Sequence, residues 1–459
     1  MAARQQKNQL KLAFPAGGRG EAPKSAGERA EAAGVGYGTE SPASPECLME
    51  EVCQRDNLVR ALKRVKANQG SPGIDGMRVE ELADYLQEHW PRIREQLLQG
   101  AYQPQPVKRM KIPKPGGGER PLGIPTVLDR FMQQAVLQVL QGSWDRTFSE
   151  HSYGFRPGRS AHQAVAQAQK YIAQGYGYVV DIDLEKFFDR VNHDILMGLA
   201  AKRVGDKRVL KLLRAFLNAG VLENGLVSPA TVGTPQGGPL SPLLSNLMLD
   251  VLDKELERRG HRFVRYADDC NIYVRSVRAG ERVLAGVSRF LEKKLKLKVN
   301  RAKSAVARPG ERKFLGFSFT FKGEPHRRIA PPSLQRFKRR VRELLRPGQH
   351  LTPAHLVNRL KLYLSGWRCY FGFCETPSVL RQLDSWIRRR LRLVYWRQWR
   401  RGRTRYAELR QRGVNPALAA KTAGSAHGLW RLSRSPALSF ALPNAYFISL
   451  GLPTLAPGR

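Results

Sequence analysis

Phe263-Val264-Arg265-Tyr266-Ala267-Asp268-Asp269-Cys270-Asn271-Ile272-Tyr273-Val274 is the stretch that decides how this chain is read. Both flanks are rich in β-branched and aromatic residues, so His261 to Tyr266 and Cys270 to Arg275 read as two strands around a two-residue turn at Asp268-Asp269. A turn favours Asp in any protein, and two adjacent carboxylates on it repel each other. At the apex of a rigid hairpin a divalent cation offsets that repulsion.

A second acidic group lies upstream. Tyr178-Val179-Val180-Asp181-Ile182 reads as a buried strand, and it runs on into Asp183-Leu184-Glu185-Lys186-Phe187-Phe188-Asp189. Asp181 and Asp183 share one face if the strand continues that far. An acidic strand end that converges with an acidic hairpin is the arrangement that two-metal phosphoryl transfer requires. Magnesium suits it, because it binds through one or two carboxylates together with substrate phosphates.

The charge balance points the same way. The 459 residues carry 78 Lys and Arg against 39 Asp and Glu, a formal net charge of +39. A chain this basic calls for a polyanionic partner, and nucleic acid is the first candidate. A short structural coat of the ribosomal-protein kind is excluded by length and by an ordinary hydrophobic fraction of 42%. The five cysteines, Cys47, Cys53, Cys270, Cys369 and Cys374, form no C-x-x-C pair, and their odd number closes no disulfide set. Reduced thiols in a cytoplasmic protein are expected. No apolar run reaches the length of a membrane span, and no secretory h-region opens the chain.

Along the chain, residues 1–46 are rich in Ala, Gly, Pro and Ser and read as a disordered leader. Helical periodicity begins at Leu48 and continues through Val65; a second helix is expected from Val79 to Leu86. Tyr102 to Pro125 has the Pro, Gly and β-former content of strands joined by turns. After about residue 325 the pattern becomes helical and very basic. Residues 381–412 hold twelve Arg against Asp384 and Glu408 alone, with Trp386, Tyr395, Trp396, Trp399 and Tyr406 among them. Arg interleaved with rings suits a surface that meets phosphates and bases.

Six motifs then occur in a recognisable order: Ile112-Pro113-Lys114-Pro115-Gly116-Gly117-Gly118-Glu119-Arg120-Pro121-Leu122-Gly123-Ile124-Pro125; Tyr153-Gly154-Phe155-Arg156-Pro157-Gly158-Arg159-Ser160; Asp181 to Asp194; Thr234-Pro235-Gln236-Gly237-Gly238-Pro239-Leu240-Ser241-Pro242; Tyr266-Ala267-Asp268-Asp269; and Phe314-Leu315-Gly316-Phe317. In order and spacing they resemble the reverse transcriptases encoded by bacterial group II introns, in particular the compact IIC-like forms that lack an endonuclease. The resemblance runs from about residue 48 to the end of the chain.

The resemblance implies an α+β right-hand polymerase fold: an N-terminal extension (47–100), fingers and palm (101–325), an α-helical thumb or maturase domain X (326–405) and a short C-terminal DNA-binding region (406–459). It makes Asp183, Asp268 and Asp269 the catalytic triad. Asp183 and Asp268 would be the chief ligands of two Mg2+ ions, with the Leu184 carbonyl beside them, and Asp181 would be structural. Lys108, Lys114 and Arg120 become candidate triphosphate ligands. Gln236 and Gly237 would lie beside the nascent base pair. Phe188, five residues after Asp183, would face the sugar of the incoming nucleotide. Arg156 and Arg159 would meet template RNA, and Arg388, Arg389, Arg390 and Arg392 the intron RNA, with Trp367 and Phe371 in the core.

The partners implied are group II intron RNA, an RNA template with its DNA primer, target DNA and deoxynucleotides, with no membrane. With no endonuclease motif, second-strand priming would come from elsewhere, such as a replication fork. Two other readings fit the motifs less well. A splicing factor with a decayed polymerase is opposed by the intact Asp183, Asp268 and Asp269. A reverse transcriptase recruited to defence, CRISPR spacer acquisition or repair is opposed by the intron-type thumb and tail.

Overall fold

The computed structural model describes residues 47–113, 119–223, 226–228, 233–234, 237–320, 323–346 and 352–457. The expected leader 1–46, Lys114 and Gln236 lie outside these residues, and for Arg120 only the backbone is described. The chain divides into two compact units. One comprises residues up to 164 with 180–274 and 278–306; the other comprises 165–179, 275–277 and 307–459.

Ten strands occur among the described residues: β1 (Val107–Pro113), β2 (Glu119–Ile124), β3 (Tyr178–Ile182), β4 (Val221–Glu223), β5 (Leu226–Ser228), β6 (Arg262–Tyr266), β7 (Asp269–Val274), β8 (Ala305–Ala307), β9 (Phe317–Phe319) and β10 (Arg327–Ile329). The first unit is built on two four-stranded sheets. One has the order β2-β1-β4-β5, in which β1 pairs antiparallel with β2 and parallel with β4. The other has the order β6-β7-β3-β8. The strand expected at 178–182 is β3 to the residue, because Val179, Val180 and Ile182 are all buried there.

Helices cover these sheets. The expected first helix is broken at Cys53-Gln54 into Leu48–Val52 and Arg55–Asn68. The helix expected over Val79 to Leu86 instead starts at Leu82 and runs to Leu98, with Leu82, Leu86, Trp90, Ile93 and Leu97 buried at helical spacing. Pro91 inside it did not end it. Helix Val127–Trp144 is capped by Thr126, whose side chain accepts from Asp129 N, and it packs against Arg55–Asn68. Helix Ser241–Arg258 buries Leu243, Leu244, Leu247, Met248, Leu249, Leu252 and Leu256, almost its full circumference. Each such Leu contributes about 1.5–3 kcal/mol on burial.

The second unit is helical apart from the β9–β10 pair. Its long helices are Pro331–Leu344, Pro353–Phe371 and Pro377–Gln398. Pro at the first helical position fixes φ and removes an N–H that has no partner there anyway. One apolar core runs from Ile329 through Trp396 to Ala456. It includes Leu438, Leu442, Phe447 and Leu455, so the segment 406–459 shares its core with the thumb helices. Buried Asp384 seals this arrangement, accepting from Leu455 N at 2.9 Å and Ala456 N at 3.0 Å.

Candidate active site

In the hairpin Tyr266 pairs with Asp269, so the turn residues are Ala267 and Asp268. The expected turn at Asp268-Asp269 is therefore shifted by one residue. Asp268 sits on the tip, half-buried, and Asp269 opens β7 as an exposed residue. The shift has a physical cause, since Ala267 takes the left-handed conformation at φ 57°. That costs an L-residue about 1–2 kcal/mol and needs support from its surroundings.

The support comes from Tyr153-Gly154 and from Arg265. Tyr153 N donates to Arg265 O and Arg265 N to His151 O, both at 2.9 Å, so the 151–153 segment runs alongside β6. Gly154 lies directly under the turn, where a Cβ would come within 2.3 Å of Ala267 N. The motif expected to carry template contacts thus begins as the floor of the hairpin.

Asp183 follows β3 immediately. Its N–H donates to Ser304 Oγ at 3.0 Å, and its carbonyl accepts from Asn300 N at 2.8 Å. Leu184 is buried and bridges Val299. The Asp183 carboxylate is partly exposed, and Lys303 Nζ lies 3.4 Å from its Oδ2, so it already faces a cation. Burial drives the Cys270 thiol far above its usual range, and the carboxylates of Asp253, Asp181 and Asp269 add to that. The last two place the end of β3 beside the start of β7. Among the described residues no three His, Cys, Asp or Glu side chains stand close enough to hold a metal unaided. Carboxylates of Asp183 and Asp268 with a backbone carbonyl are the hard oxygen donors that a hard divalent cation takes.

Phe187 is buried, whereas Phe188 is half-exposed, their rings 5.2 Å apart. The Phe188 carbonyl accepts from Thr234 N at 2.7 Å, and Val191 O accepts from Gly233 N at 2.8 Å. The strand end and the approach to the Pro235-Gln236-Gly237 loop are therefore tied together. Gly237, at φ 127°, leaves room for nothing larger, since a Cβ would meet Gly123 O of β2 at 2.6 Å. Lys108 is exposed on β1 opposite Ile124.

The basic residues divide sharply. Arg156 is buried, and its donors are spent on Asp145 Oδ1 (2.8 Å), Asp145 O (2.7 Å), Ser149 O (2.5 Å) and Ser152 O (3.0 Å). It braces the loop, which corrects its expected role on template phosphates. Arg159 is half-exposed over the Tyr153 ring. In the second unit, Arg389 lies 3.8 Å over Trp430 and donates to Trp430 O at 2.8 Å. Arg392 donates to Leu442 O at 3.0 Å. Both stay half-exposed, with part of each guanidinium tied to a carbonyl of another segment. Arg388 has no acceptor among the described residues, and Arg390 lies between the Trp386 and Trp430 rings. Tyr395, Trp396 and Trp399 are core and not stacking platforms, as is Trp367; Phe371 packs at the core's edge.

With this geometry in place, residues 112–319 match the family described as reverse transcriptase (RNA-dependent DNA polymerase). Residues 334–413 match the group II intron, maturase-specific domain. The chain therefore joins a reverse transcriptase domain to a group II intron maturase-specific domain.

Its curated relatives agree. Protein YkfC of Escherichia coli K12 is 38% identical over 218 residues, which are 46% of this chain and 57% of that protein. Group II intron-encoded protein LtrA of Lactococcus lactis subsp. cremoris is 37% identical over 195 residues, 42% of this chain and 32% of that one. The putative COX1/OXI3 intron 2 protein of Saccharomyces cerevisiae is 32% identical over 206 residues, 44% and 24%. The chain thus spans little more than half of YkfC and a third or less of the other two. A solved chain from a partial Cas6-RT-Cas1–Cas2 complex, at TM-score 0.35 and 24% identity over 54% of this chain and 43% of its own, adds nothing to the fold.

The reverse transcriptase match lies mostly in the first unit, and the maturase-specific match lies in the second. Sequence reasoning missed three palm residues that shape the site: Arg265, Gly154 and Ser304. Arg265 was the legible one, as an Arg set among Phe263, Val264 and Tyr266 in a buried strand. Ser304 carries no sequence signal, being 121 positions from the residue it holds.

Proposed function

We propose that this chain copies RNA into DNA from a DNA primer, and that it binds its own intron RNA as a splicing maturase. The observation that carries the reading is the braced Ala267-Asp268 turn beside the strand that delivers Asp183. Asp183, Asp268 and the Leu184 carbonyl would hold two Mg2+ ions, with Asp269 completing the triad. Such ions activate the primer 3′-hydroxyl and stabilise charge on the attacked phosphorus.

The chain's own groups do the rest. Phe188, half-exposed where Phe187 is core, stands against C2′ of the incoming sugar and excludes a ribose hydroxyl. Gly237, seated on β2, lets backbone approach the nascent pair, beside Gln236. Lys108, Lys114 and Arg120 neutralise the triphosphate as point charges or forks. Arg159 meets the template, and Arg388 and Arg390 meet the intron RNA. The segment 406–459 meets target DNA. No described helix is long and apolar enough to cross a membrane, and the reading places the protein in the cytoplasm, with the genome and the transcript.

The test is extension of a DNA primer on an RNA template with four deoxynucleotides and Mg2+. Wild-type protein extends the primer, and Asp268→Asn protein does not. Equal extension by both proteins refutes the reading. Self-splicing of a group II intron RNA at low Mg2+, with and without the protein, tests the maturase half.

A further inference from the structure

Arg265 is the most completely enclosed charge in the palm. It and its partner Asp253 are both fully buried. Its Nε donates to Asp253 Oδ1 at 2.8 Å and its Nη2 to Asp253 Oδ2 at 2.6 Å, a two-pronged pair from β6 to helix Ser241–Arg258. The remaining donors reach Asn246 Oδ1 (3.0 Å), Ser152 Oγ (2.8 Å) and the Ala267 carbonyl (2.9 Å). Asn246 Nδ2 in turn donates to Gly154 O at 2.9 Å. One guanidinium therefore joins the helix, the 152–154 segment and the turn.

A pair buried this deeply is a poor device for stability alone. Desolvation offsets most of its attraction, and apolar replacements of like volume are often neutral. What an apolar pair cannot do is hold the Ala267 carbonyl. That carbonyl lies in one rigid peptide plane with Asp268 N and Cα. Fixing it fixes the point from which the Asp268 side chain leaves the backbone. Ala267 is at φ 57°, an expensive conformation that relaxes unless it is held. Mg2+ tolerates little relaxation, because it requires near-ideal octahedral ligands.

We infer that Arg265, anchored by Asp253, Asn246 and Ser152, is a positioning residue that holds the Ala267-Asp268 turn in its metal-binding geometry. This rests on the polymerase reading above. Neither Arg265 nor Asp253 touches substrate.

The test uses the double variant Arg265→Met/Asp253→Leu, which leaves no unpaired charge, and Ser152→Ala, which removes one anchor. Each is assayed for melting temperature, for kcat and KM on primer–template, and for Mn2+ affinity. The last is read from the Mn2+ EPR signal in a complex with a dideoxy-ended primer, template and deoxynucleotide. For the double variant kcat falls about 100-fold, the scale of a 1 Å misplacement. Its KM for primer–template holds, and its Mn2+ affinity drops several-fold. Ser152→Ala shows the same pattern at a few-fold.

A folded double variant with wild-type kcat and Mn2+ affinity overturns the proposal. So does a loss of kcat in step with melting temperature at unchanged Mn2+ affinity, which is a merely structural role. If the double variant does not fold, Ser152→Ala decides: lowered kcat and Mn2+ affinity at an unchanged melting temperature support the proposal, and wild-type values refute it. Asp268→Asn is run alongside. Activity in that variant sinks the polymerase reading itself, whereas an inactive Asp268→Asn beside a wild-type-like double variant sinks only the role of Arg265.

Discussion

The arginines of the two units meet different surroundings. In the palm, Arg156 and Arg265 are buried and saturated by carboxylates and carbonyls, and their charge is used up holding loops in place. In the second unit, residues 307–459 carry 31 Lys and Arg against six Asp and Glu. There Arg390 finds rings in place of carboxylates, and burial with the neighbouring Arg342 and Arg397 lowers its pKa. Crowded like charges repel, and a polyanion relieves them. The same residue type thus braces loops where acceptors surround it and stands among rings and like charges where they do not.

Four sets of substitutions test that division. The largest effect is expected from the palm carboxylates. Asp183→Asn or Asp268→Asn abolishes primer extension while the salt dependence of RNA binding, followed by filter retention, stays as in the wild type. Loss of RNA binding in step with activity would erase the distinction between chemistry and affinity.

Next comes Arg156→Ala, which leaves Asp145 and two carbonyls without their partner and costs about 3 kcal/mol. Urea unfolding reads that loss, and the slope of log K against log salt does not move. A stable variant with a flatter slope would return Arg156 to the template surface.

Phe188→Ala should raise ribonucleotide incorporation about tenfold or more, the scale of a contact worth roughly 1.4 kcal/mol, with a modest loss for deoxynucleotides. Phe187→Ala should instead cost about 3–5 kcal/mol of stability and leave sugar preference alone. Single-nucleotide extension on an RNA template, beside a melting curve, separates the two; an exchange of roles would move the sugar contact to Phe187.

The smallest effect on stability is expected at Arg388. Replacing it with Ala should change folding by less than about 0.5 kcal/mol, while Arg390→Ala should cost more through its lost Trp386 and Trp430 contacts; each should lower the salt slope of RNA binding by roughly one unit. Arg389→Ala should do the reverse, weakening the fold through its lost Trp430 contact with little change in slope. Equal slopes in all three variants would move the RNA surface off this helix.

The sequence by itself determined the catalytic strands. β3 is a short run rich in β-branched residues, buried at Val179, Val180 and Ile182, and the Asp268-Asp269 hairpin is flanked by strand residues on both sides. Local pattern is enough where the backbone preference and the burial pattern agree. The basic surplus was equally legible, because charge is a property of composition.

What only the tertiary structure decided is which residue of a like set faces where. The turn sits at Ala267-Asp268 because Gly154 and Arg265, distant in sequence or hidden in a strand, stabilise a left-handed Ala. Arg156 found its acceptors 4 to 11 positions back, Arg389 and Arg392 found theirs 41 and 50 positions on, and Arg388 has none among the described residues. The segment 406–459 merged with the thumb core through Asp384 and Phe447. The pairings of Asp183, Arg389, Arg392 and Asp384 join residues 41 to 121 positions apart, and no local periodicity encodes a contact at that separation.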